Sequence, residues 1–140
     1  MTGNDRRPVP AEESEVLVSK GKGPLGAWEL YDSPSRRPLL DDKELGIRQR
    51  FAYETPNGWT ESGETGPMLS PDERVRLSRS GSLEVTYLAF RCAAEVDGIE
   101  LQIPGQTAER FQASATSNIS GNRFVVVQLL PRASYGWEPY

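Results

Sequence analysis

The sequence predicts an all-β protein: an antiparallel β-sandwich of seven to nine strands, jelly-roll or immunoglobulin-like in arrangement, with at most one short helical turn. Three observations carry this expectation. Residues 45–53 alternate apolar and polar with period two, the mark of a half-buried strand. The dipeptides Asp97-Gly98 and Gly121-Asn122 stand between apolar runs, where such pairs favour tight hairpins. Turn residues recur at short intervals through the rest of the chain, as they do in sandwiches and barrels.

Residues 1–14 are polar, marked by prolines and without periodicity, and read as a flexible N-terminal arm. The sandwich domain is expected over 15–134 and an aromatic C-terminal tail over 135–140. Within the domain, Glu15 to Ser19 forms a short strand, ended by the glycine-rich run Gly21 to Gly26. Ala27 to Tyr31 forms a second, with Trp28 and Leu30 on one face. Pro34 and Pro38 then force a turn, and Leu39 to Leu45 is the place for the short helical turn. From Leu45 to Tyr53, the residues Leu45, Ile47, Phe51 and Tyr53 share one face, and Arg48 and Arg50 point the other way to solvent.

Glu54 to Asp72 carries six glycines and prolines and reads as a long loop. Ser70-Pro71-Asp72-Glu73 resembles a capping box, but the period-two run from Arg74 to Leu77 favours a strand after a turn. Farther on, the apolar phase shifts from Leu83, Val85 and Tyr87 to Leu88 and Phe90. That shift predicts either a bulge near Tyr87 or burial on both faces. A two-residue turn at Asp97-Gly98 pairs Val96 with Ile99, Ala94 with Leu101 and Cys92 with Ile103, which puts six apolar residues on one face. Gly121-Asn122 pairs Ile119 with Phe124 and Thr116 with Val127. Phe111 to Ser120 is then a flat strand beside a central one, Phe124 to Leu130.

The chain of 140 residues has no histidine and one cysteine, Cys92, which removes whole classes of chemistry. Ser-His-Asp and Cys-His nucleophile systems, His-ligated metals, zinc fingers and CxxC redox pairs each lack a part. The expectation is therefore no enzyme, no cofactor and no metal. A net charge of -4 argues against nucleic acid as a partner. With no long apolar run there is no expected membrane insertion. Arg6-Arg7 is followed by Pro8 to Glu13 and not by an apolar stretch, so no classical signal peptide is expected, and the chain is placed in the cytoplasm or in an assembled particle.

What chemistry remains lies in carboxylates, arginines and aromatics. Ser19 and Lys22 match an S-x-x-K pattern, but Gly21, Gly23 and Pro24 deny it the helix it needs. Glu95 and Glu100 would face each other across the first hairpin beside Asp97. This is a solvated pair in the ordinary case and a general acid-base pair in a carboxylate hydrolase. Arg48, Arg50, Arg74 and Arg76 form a basic stripe if their strands are neighbours. Trp59 in the long loop, with Glu61 and Glu64, and Tyr135, Trp137 and Tyr140 in the tail are candidates for an interface or a carbohydrate platform, or they plug an end of the sandwich. Cys92 falls on the inner face as an inert thiol, and Asn118-Ile119-Ser120 is a glycosylation sequon in form only. The leading expectation is a non-enzymatic module that joins a larger assembly through protein contacts or self-assembly. A cement, tail or connector protein of a virus-like particle is its concrete version. A carbohydrate-binding sandwich and a carboxylate hydrolase are the alternatives.

Overall fold

The computed structural model describes residues 14–38 and 45–140. Those residues are all-β, with ten strands in three antiparallel sheets and no helix. The fold is sandwich-like, as its alternation and turn spacing imply. The chain divides into two compact units, Met1–Met68 and Leu69–Tyr140.

The first unit is a four-stranded meander, β1 (Val16–Gly23), β2 (Gly26–Pro38), β3 (Leu45–Thr55) and β4 (Gly58–Gly66), hydrogen-bonded in that order. Three expectations change here. The glycine-rich run does not end β1, because Gly21 lies opposite Trp28 and the turn is confined to Pro24-Leu25. Glycine at 21 answers a close approach, since a Cβ there would run into the Trp28 ring. Pro34 does not break β2: Ser33 and Pro34 pair with Arg48 and Ile47. The expected long loop is in large part β4, joined to β3 by Pro56-Asn57, with Trp59 opposite Glu54 and Gly63 opposite Arg50. Gly63 again answers crowding, because a Cβ there would sit 3.3 Å from an Arg48 nitrogen. The short helical turn expected at Leu39 to Leu45 lies mostly outside the described residues, as does the arm before Ser14.

The strand at Leu45 to Tyr53 forms as its alternation requires. Leu30, Ile47, Phe51 and Tyr53 are buried, and the Phe51 and Tyr53 rings stack with centroids 5.7 Å apart.

The second unit holds two three-stranded sheets. One has the order β5 (Val75–Gly81), β6 (Thr86–Cys92), β9 (Arg123–Leu129). The other has the order β10 (Gly136–Pro139), β7 (Gly98–Gln102), β8 (Glu109–Gln112). Both contribute to one core: Leu88, Phe90 and Cys92 from β6, Val125, Val127 and Leu129 from β9, Ile99 and Leu101 from β7, with Val96 and Ala113. Each of the larger side chains contributes about 1.5–3 kcal/mol by leaving water. Strand β6 is buried on both faces with an unbroken register, which accounts for the apolar phase shift without a bulge. Leu83 belongs to no strand face. It stands 93% exposed at the tip of the β5–β6 turn.

Both expected hairpins are corrected. A type I′ turn needs positive φ at its two central residues, and neither Asp97 nor Gly98 has it. After β6, the Ala93 amide bonds to the Arg74 carbonyl (2.8 Å) and the Val96 amide to that of Ala93 (3.0 Å), and β7 then starts in the other sheet. Val96, Ile99, Leu101 and Cys92 are buried as expected, although not as cross-strand partners, and Ala94 is exposed. A Cβ at Gly98 would collide with the Phe111 carbonyl and the Tyr140 ring, so packing selects this glycine.

At the second site the chain does turn, with Gly121 at φ 75, but Ser114 faces Phe124 through a 2.9 Å bond. Only Phe111 and Gln112 of the expected flat strand belong to a strand. Ser117 Oγ accepts from the Ile119 amide (3.1 Å) and Ser120 Oγ from the Asn122 amide (3.3 Å), which diverts the backbone from a ladder. Strand β9 is apolar on both faces because both are buried, yet β6 is the middle strand of its sheet.

Candidate interaction surface

Residues directly opposite in a sheet share a face. The registers Lys20–Glu29–Ala52–Glu61 and Leu17–Tyr31–Arg50–Gly63, with Glu54–Trp59, therefore gather a charged face on the first unit. Its centre is Arg50. Nε and Nη2 donate to Oε2 and Oε1 of Glu15 at 2.8 and 2.9 Å, and Nη1 donates to Glu61 at 3.0 Å. The guanidinium lies 4.4 Å from the centroid of the Tyr31 ring, whose hydroxyl donates to Glu29 at 2.7 Å. Arg48 stands 3.9 Å from the Glu15 carboxylate.

Arg50 is only 3% exposed and Glu15 only 8%, so the expectation of Arg50 on a solvent face is corrected. Burial of a cation is tolerable because every nitrogen of the guanidinium meets a carboxylate. Hydrogen bonding to Glu15 raises the Arg50 pKa above its ordinary value. The Tyr31 hydroxyl is pushed up to about 12, chiefly by burial and then by its bond to Glu29. A guanidinium whose three nitrogens each donate to a carboxylate, and which is almost wholly buried, is a fixed structural charge.

The other expected partners are not sheet neighbours on one face. Arg48 and Arg50 lie on β3, Arg76 on β5 and Arg74 just before it, and these strands belong to different sheets, so they form no stripe as sheet neighbours. Arg76 pairs with Glu73 at 2.7 Å. Trp59 and Glu61 share the charged face, while Glu64, opposite Gln49, lies on the other face of β4. The Trp59 ring is half-buried, and its indole nitrogen has no hydrogen-bond partner among the described residues.

The C-terminal aromatics are spent inside the second unit. Trp137 packs edge-on against Phe90, with centroids 5.1 Å apart, from a strand paired to β7. Tyr140 lies under Arg110 at 4.4 Å and its carbonyl accepts the Asp97 amide at 2.8 Å. Tyr135 lies 5.5 Å from the Arg79 guanidinium.

The expected carboxylate group is dispersed. Glu100 bonds to Arg110 (3.0 Å), Asp97 to Arg123 (3.2 Å), and Glu95 is exposed in the turn before β7. Ser19 and Lys22 point to opposite faces of β1. Cys92 is fully buried, and burial pushes its thiol up to about 11. Among the described residues no group of three or more His, Cys, Asp or Glu is placed to hold a metal ion, and no helix is long and apolar enough to cross a membrane.

The sequence carries no signal that marks Glu15, Lys20, Glu29 or Tyr31 as members of this face, and it marks Lys22 only through the S-x-x-K pattern; Glu29 and Tyr31 fall in the expected strand Ala27 to Tyr31, but nothing local places that strand beside Arg50. The chain matches no family model, no curated protein and no solved structure.

Proposed function

We propose that this chain is a non-enzymatic module that works by protein contact as a subunit of a larger assembly, with a cement, tail or connector protein of a virus-like particle as the concrete version. The observation that carries the reading is β4. It is nine residues long, lies at the edge of its sheet, and is exposed from Thr60 through Thr65. Among the described residues no strand pairs beyond β4, and a strand at a sheet edge offers a row of backbone donors and acceptors to another chain, which monomeric proteins usually blunt. The residue types suited to other chemistry are engaged elsewhere: Arg50 between carboxylates, Trp137 and Tyr140 in packing.

The test is the mass of the full chain by light scattering over rising concentration, with cross-linking and mass spectrometry in the cell of origin. Oligomers, or a reproducible cross-linked neighbour, support the reading. A monomer at every concentration with no neighbour contradicts it. Retention on a glycan array that is lost in Trp59→Ala replaces it with carbohydrate binding.

A further inference from the structure

The two edges of the first unit's sheet are complementary. A meander with an even number of strands has outer strands that run in opposite directions. A second copy placed beside the first by translation across the sheet therefore brings its β1 antiparallel to β4.

The hydrogen-bond phase of the two edges also agrees. The two-residue turns make Gly23–Gly26 and Thr55–Gly58 the first bonded pairs, and alternate residues thereafter turn their backbone groups inward. The outward set is Lys20 and Lys22 on β1, and Trp59, Glu61, Gly63 and Thr65 on β4. These two sets carry their side chains on the same face, because the register Lys20–Glu29–Ala52–Glu61 runs straight across the sheet. Backbone and side-chain phases thus match in one arrangement.

Charge selects the pairing. Lys20 and Lys22 are exposed on β1, whereas β4 contains no lysine, arginine or proline, and its charged residues are Glu61 and Glu64. Joining β4 to β4 sets carboxylate against carboxylate, and joining β1 to β1 sets ammonium against ammonium. Both are unfavourable across strands. Joining β4 to β1 sets opposite charges together.

We propose that the β4 edge of one copy receives the β1 edge of a second copy, with Lys20 of the second opposite Glu61 of the first and Lys22 opposite Trp59, so that the charged face continues from chain to chain. The inference rests on the assembly reading above and names its partner as the same chain. In this register Lys20 extends the row that ends at Glu61, and Lys22 lies against the indole of Trp59 as a cation–π pair. The contact is head to tail, so it closes into a ring or propagates as a filament according to the rotation between copies. The ordinary strand-to-strand twist supplies that rotation.

Ser19 then faces Ser62 across the junction in a non-hydrogen-bonded pair, the position where Cα atoms approach most closely, about 4.5 Å. The experiment mixes full-length Ser19→Cys and Ser62→Cys chains under oxidising conditions. The native Cys92 is buried and does not compete. The expected result is a disulfide-linked dimer in the mixture that neither variant forms alone. In parallel, light scattering of Lys20→Glu/Lys22→Glu is expected to show self-association weakened about tenfold or more, with unchanged circular dichroism.

A chain that self-associates without forming the mixed disulfide, or whose association is indifferent to the charge reversal, overturns this inference and leaves the assembly reading intact. So does a chain that is monomeric alone and cross-links only to other proteins. A monomer with no cross-linked neighbour overturns both.

Discussion

Arg50 and Glu15, 35 positions apart in sequence, meet in a two-point ion pair, Nε to Oε2 at 2.8 Å and Nη2 to Oε1 at 2.9 Å. The pair ties the residue preceding β1 to the third strand of the meander. It is buried, so its worth depends on completeness: both partners present cost little, and one alone leaves an uncompensated charge out of water.

Arg50→Met is therefore expected to destabilise the first unit by about 3–5 kcal/mol, while Glu15→Leu/Arg50→Met recovers most of the loss. Urea titration followed by tryptophan fluorescence in a Trp137→Phe background reads this unit, because Trp28 and Trp59 both lie in its sheet. If the single and double variants unfold at the same urea concentration, the buried pair does not act as described.

Arg123 organises the second unit from β9. It donates to the carbonyls of Ser114 (2.9 Å), Val96 (3.1 Å) and Ala113 (3.4 Å) and to the Asp97 carboxylate (3.2 Å). Four acceptors in different directions require the guanidinium fork. Arg123→Lys is expected to cost about 2–3 kcal/mol despite keeping the charge, since an ammonium leaves half-buried carbonyls unmatched. A thermal melt of Arg123→Lys superimposable on the parent contradicts this role.

Alkaline pH tests the burial of Cys92. Its folded pKa is raised from 9.0 to about 11 by desolvation, so folding favours the neutral thiol. The stabilisation is fully present below about 9, where both states are protonated, and is lost as pH rises from about 9 to about 11, where the unfolded thiol ionises first. Tyr31, raised to about 12, and Tyr53, also raised by burial, act in the same direction at higher pH. Thiol labelling of the native chain at pH 8 is expected to be slow and to become rapid in denaturant. Equal rates in the two conditions place the thiol at the surface.

Elements with local causes could be read from the sequence, and those with distant causes could not. Residues 45–53 declare their strand because alternation is a property of the segment itself. Asp97-Gly98 and Gly21 mislead because glycine answers two demands, positive φ and close approach, and here it answers the second. Strand β4 was obscured in the same way by Gly63, which makes room for Arg48. On the charged face, Trp59, Glu61, Arg48 and Arg50 were visible as residue types of interest. Nothing in the local sequence marks Arg50 as buried, because the group that permits its burial is Glu15.

The most direct measurement is backbone amide exchange of the full chain, recorded residue by residue as its concentration is raised. The amides of Lys20, Lys22, Trp59 and Glu61 are expected to gain protection together as the concentration rises, while the amide of the exposed Glu95 does not change. Rapid, concentration-independent exchange at those four positions, in samples that light scattering shows to be associated, contradicts the joining of β4 to β1.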